Sequence, residues 1–132
     1  MKYLRISLLL FSTLSVVIFA CKEKNVEPSD KELPVITKIY PSVTHQAYNF
    51  GDTAYFKINF SDNNRLAAVS LRLYLETDEE ILFTSKSPES NTASIDTFVV
   101  MNDLRFSDLD FTIKAVDLAG NVALQNSHIH LR

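Results

Sequence analysis

The run Thr53, Ala54, Tyr55, Phe56, Lys57, Ile58, Asn59, Phe60 alternates apolar and polar side chains almost without a break. Successive side chains of a β-strand point to opposite faces. As a strand, this run buries Ala54, Phe56, Ile58 and Phe60 and turns Thr53, Tyr55, Lys57 and Asn59 outward. The same period governs the next segment, where Ala67, Val69, Leu71, Leu73 and Leu75 oppose Ser70, Arg72, Tyr74 and Glu76. It returns where Leu109, Phe111, Ile113 and Ala115 oppose Asp110, Thr112 and Lys114. Val35 to Tyr40, Glu80 to Thr84, Ser94 to Met101 and Val122 to Leu131 also read as strands, which makes about seven. Within the last of these the apolar phase switches between Leu124 and Ile129, which predicts a bulge near Gln125 to Ser127.

Outward from these runs, turn-forming clusters recur at Asn49 to Asp52, Ser61 to Asn64, Glu76 to Glu79, Ser87 to Asn91, Asn102 to Asp108 and Leu118 to Asn121. No segment after Cys21 sustains the i, i+3, i+4, i+7 apolar spacing of a helix for three turns. The expected architecture is all-β: a single antiparallel β-sandwich of about seven strands over residues 34–132, with a small closed barrel as the alternative. Cys21 is the only cysteine, so no disulfide within the chain can brace the core.

The N-terminal end has a different character. Lys2 and Arg5 precede an uncharged, strongly apolar stretch from Ile6 to Ala20. It is shorter than the roughly 20 residues that span a bilayer and has the layout of a secretory signal peptide, expected over residues 1–20. The stretch ends Val17, Ile18, Phe19, Ala20, Cys21, which resembles the lipobox of bacterial lipoproteins. That resemblance implies cleavage before Cys21 and lipid attachment to its thiol. Two or more acyl chains anchor a protein stably, whereas one holds it only marginally.

Residues 21–33 are polar and contain Pro28, and they read as a flexible tether. Lys22 stands where the inner-membrane retention signal of such lipoproteins has aspartate, so the resemblance implies the outer membrane, with surface exposure open. Cleavage removes two of the 13 cations and none of the 16 acids, leaving a net charge of −5. An acidic domain of this kind is a poor partner for nucleic acid.

Two segments carry a further resemblance. Phe60, Ser61, Asp62, Asn63, Asn64, Arg65, Leu66, Ala67, Ala68, Val69 is similar to a strand, turn, strand junction of bacterial Ig-like and cadherin-like domains. Ala115, Val116, Asp117, Leu118, Ala119, Gly120, Asn121, Val122 is similar to their late hairpin. With the lipobox, the chain resembles the small Ig-like lipoproteins of Bacteroidetes. The resemblance implies a sandwich, and that fold hosts adhesion, carbohydrate binding and simple spacing alike.

If the second, third, sixth and seventh strands take the B, C, F and G positions of such a sandwich, the Asp62 and Asp117 turns share one end. Asp62, Asn64, Asp117 and Asn121 then offer oxygen ligands of the kind calcium takes. Against a metal stands the ordinary role of Asp and Asn in turns, where their side chains bond nearby backbone groups. His128 and His130 share one strand face and suit zinc or copper, with His45 available but not placeable as a third ligand. Tyr40, Tyr48, Tyr55 and Tyr74 include candidates for a sugar-stacking platform.

Only two glycines, Gly51 and Gly120, are present, and neither a phosphate-binding loop nor a nucleophile elbow is formed. The acids Asp78, Glu79 and Glu80 read as a solvated turn. A non-enzymatic role is expected: a membrane-anchored binding or adhesion module with a glycan or envelope-protein partner, or a structural accessory subunit of an envelope complex.

Overall fold

The computed structural model describes residues 30–43 and 45–132. The signal peptide of residues 1–20, lipid attachment at Cys21 and most of the tether lie outside them. The described chain forms eight strands: β1 (Val35–Tyr40), β2 (His45–Tyr48), β3 (Thr53–Ser61), β4 (Leu66–Leu75), β5 (Glu80–Lys86), β6 (Thr92–Val100), β7 (Asp108–Asp117) and β8 (Val122–Leu131). A single 3-10 turn, Leu104–Ser107, precedes β7. Among the described residues, no helix is long and apolar enough to cross a membrane.

The strands build two sheets, ordered β1-β3-β6 and β2-β8-β7-β4-β5. The inner faces meet through the side chains that the alternating runs select. Ala54, Phe56, Ile58 and Phe60 of β3 lose essentially all contact with solvent, as do Leu71 and Leu73 of β4 and Leu109, Phe111, Ile113 and Ala115 of β7. Phe56 and Phe111 join the sheets edge to face, with ring centroids 5.3 Å apart. Each of the buried Phe, Ile and Leu side chains contributes about 1.5–3 kcal/mol by leaving water, and the alanines less, so the two alternating faces supply the drive for folding. The chain is a β-sandwich and not a closed barrel.

Three details depart from the sequence reading. An eighth strand, β2, is present, and it pairs with β8 in parallel, so the sandwich is not wholly antiparallel. β2 has only four residues and lacks a clean alternation of apolar side chains, which leaves no period to detect. The bulge expected near Gln125 to Ser127 is absent, because β8 pairs with β7 in unbroken register from Val116↔Val122 to Asp108↔His130. Gln125 and Ser127 instead occupy inward positions, and Leu124 is exposed. An irregularity does occur between Leu66 and Ala68, and it puts Leu66 rather than Ala67 in the core.

Candidate functional site

β3, β4, β7 and β8 take the four positions that bring the Asp62 turn and the Asp117 turn to one tip. Asp62 follows β3, and its Oδ1 accepts the backbone N–H of Asn64 at 3.0 Å, which fixes the turn into β4. Asp117 closes β7, where Oδ1 accepts the Asn121 backbone N–H at 2.7 Å and Oδ2 accepts Asn121 Nδ2 at 2.6 Å. Gly120 takes φ +91° in this turn, a conformation in which a Cβ is strained. Asp117 is almost wholly buried. Burial opposes its ionisation, but hydrogen bonds from the Asn121 side chain and from the backbone N–H groups of Asn121, Gly120 and Ala119 outweigh that, holding its carboxyl below the ordinary range.

The sequence reading missed Asp30. Assigned there to the tether, it docks on this tip, with its carbonyl accepting Asn121 Nδ2 at 3.0 Å and its Oδ1 accepting Asn63 Nδ2 at 3.2 Å. The sandwich therefore takes in residues before Pro34. Asp30, Asp62 and Asp117 place one carboxylate oxygen each within 4.8 Å of the others. Asp62 Oδ2 is shut off from solvent without a hydrogen-bond partner. Of the four residues offered for calcium, Asp62 and Asp117 converge. Asn121 serves the cluster as a donor, and Asn64 serves it through its backbone N–H. These carboxylates are the oxygen donors calcium would use.

The four tyrosines separate. Tyr48 is half-buried against the core, and Tyr74 lies on the outer face of the five-stranded sheet with the Arg72 guanidinium 5.0 Å from its ring centroid. Tyr40 and Tyr55 come together on the outer face of β1-β3-β6, where they are 55% and 57% exposed. Tyr55 pairs across strands with Phe98, equally exposed, and their ring centroids are 6.1 Å apart. Lys57 and Asp96 face each other one step along the same strands. Tyr40, Tyr55, Lys57 and Asp96 line an open cleft of about 200 Å³. Phe98 gave no signal in sequence, because its partnership with Tyr55 is a matter of cross-strand register.

His128 and His130 do share an outward face of β8, and the parallel register sets His45 directly beside His128. Of the acids Asp78, Glu79 and Glu80, two form surface ion pairs, Glu79 with Arg105 at 3.0 Å and Glu80, the first residue of β5, with Arg72 at 3.0 Å.

No family model and no curated protein matches the sequence. Among solved structures, murine CRIg is similar at 9% identity over 76% of this chain and 98% of that one, with a TM-score of 0.44. The CARDB domain of the PF1109 protein from Pyrococcus furiosus, solved with di-metal ions, is similar at 12% identity over 80% of this chain and all of that one, with a TM-score of 0.43. OgpA from Akkermansia muciniphila is similar at 9% identity over 80% of this chain, with a TM-score of 0.49, and the chain spans 30% of its length.

Proposed function

We propose that this chain is an envelope lipoprotein, held in the outer membrane by acyl chains on Cys21, whose sandwich is a non-catalytic binding module for a glycan. The observation that carries this reading is the cleft on β1-β3-β6, where the exposed rings of Tyr40 and Tyr55 stand beside Lys57 and Asp96. A sugar presents apolar C–H faces and hydroxyl edges together. Aromatic rings take the faces, and the cation and anion lining the cleft beside them take the hydroxyls. With Cys21 as the anchor, the covalent chain to Asp30 can extend at most about 30 Å, which limits how far the acidic tip can lie from the membrane.

A glycan array probed with residues 22–132 tests the binding half. The expected result is binding to a restricted set of glycans that is lost in Tyr55→Ala while the melting temperature is kept. Absence of binding, together with an envelope protein crosslinked to this face in intact cells, moves the assignment to the accessory-subunit reading. The anchoring half has its own test: Cys21→Ser abolishes incorporation of labelled palmitate and releases the protein from the membrane, and retained labelling overturns it.

A further inference from the structure

We propose that His45, His128 and His130 form a zinc site on the outer face of the five-stranded sheet. This rests on none of the reading above. Three positions generate the site. His128 and His130 are two apart on β8, so both side chains leave the same face. The parallel pairing of β2 then sets His45 opposite His128. The three rings cluster, with centroids 4.0 Å apart for His45 and His128, 4.7 Å for His128 and His130, and 6.1 Å for His45 and His130. One ring nitrogen from each lies within 4.8 Å of the others. Zinc–nitrogen bonds of about 2.0–2.1 Å put tetrahedral ligand atoms roughly 3.3 Å apart, so closure on an ion needs small side-chain rotations and no backbone movement.

The surroundings are those of a cation site. Glu76, Asp108 and Asp110 line a shallow cavity of about 330 Å³ with His128 and His130, and their charges attract a divalent ion. The carboxylate of Asp108 contacts His130 Nδ1, its cross-strand partner. That contact occupies Nδ1 of His130 and leaves Nε2 as the nitrogen available to ligate, as a carboxylate behind a ligating histidine does. Three imidazoles leave the fourth position of a tetrahedral ion open to water or to one of the acids.

The experiment uses residues 22–132, which contain the whole sandwich, without an added polyhistidine tag and stripped by chelator. Zinc titration followed by calorimetry is expected to show one ion bound per chain. His45→Ala weakens that binding by more than about tenfold, and Asp108→Asn weakens it by about 10- to 100-fold, since outer partners of metal ligands carry effects of that size. Melting each variant without metal establishes that it is folded. In the wild-type chain, NMR signals of all three imidazoles shift together with zinc, a readout that needs no variant. The proposal is overturned by an absence of zinc binding, by zinc bound equally well after His45→Ala, or by zinc that leaves the imidazole signals unmoved.

Discussion

The two ends of β7 carry two clusters of three ligand-type side chains, built in opposite ways. At one end Asp117 joins Asp62 and Asp30, each from a turn or a segment outside the strands, and hydrogen bonds from Asn121, Asn64 and Asn63 hold them. At the other, roughly 30 Å away along the strand, His45, His128 and His130 stand on strand faces, and register alone sets their spacing. The acidic cluster is inward and buried at Asp117, while the histidines face outward. A buried polar cluster is part of the stability of the fold, and a ligand set on a sheet face is nearly independent of it.

Substitutions that remove the common support, then each cluster in turn, break or sharpen that contrast. Phe111→Ala, midway along β7, removes the ring that meets Phe56 and is expected to cost about 3–5 kcal/mol, lowering the melting temperature for both ends in one transition. Separate transitions at the two ends would show that the core does not couple them. Asp117→Ala strips the acceptor from the Asn121 backbone and side chain and is expected to cost about 1–3 kcal/mol in denaturant unfolding.

The same carboxyl sets an acid limb. Its value is depressed in the fold, so its hydrogen bonds contribute fully above the ordinary aspartate value of about 3.9 and are lost as pH falls through the folded value. Asp117→Asn flattens that limb, and an unchanged acid profile assigns it to other groups.

A smaller effect belongs to Asp62→Asn. With chelator present it relieves repulsion among three close carboxylates and is expected to raise the stability in denaturant unfolding. If calcium binds this tip, adding it reverses the order of stability between the variant and the parent. An order that is the same in calcium and in chelator removes calcium from this tip. The smallest effect is expected from His128→Ala without metal, within about 0.5 kcal/mol, because an outward strand position supports little of the fold. A loss comparable to that of Asp117→Ala would erase the contrast between the two ends.

The same contrast governs what could be read from the chain. Asp62 and Asp117 were legible because turn chemistry is local: Asp, Asn and Gly in short clusters announce both the turn and its oxygen donors. Asp30 was not, because its place on the tip depends on hydrogen bonds to Asn63 and Asn121, distant in sequence. His128 and His130 were legible as a pair from the period of a strand. His45 was not, because a four-residue parallel strand has no pattern of its own and exists only where β8 offers it an edge. The phase change after Leu124 has the form of a bulge, because a buried strand face ordinarily keeps its apolar phase. In fact Gln125 and Ser127 occupy the inward positions and the register continues.

By itself the sequence determined the class of fold, the inner face of its main strands and the end at which two aspartates meet. Periodicity and turn preference act over a few residues, and a chain displays them before it folds. Only the tertiary structure decided the partnerships: Tyr55 with Phe98, Asp30 with the Asp62 and Asp117 turns, and His45 with His128. These depend on strand register and sheet order, which emerge when two apolar faces close on one another, and each joins residues that are far apart along the chain.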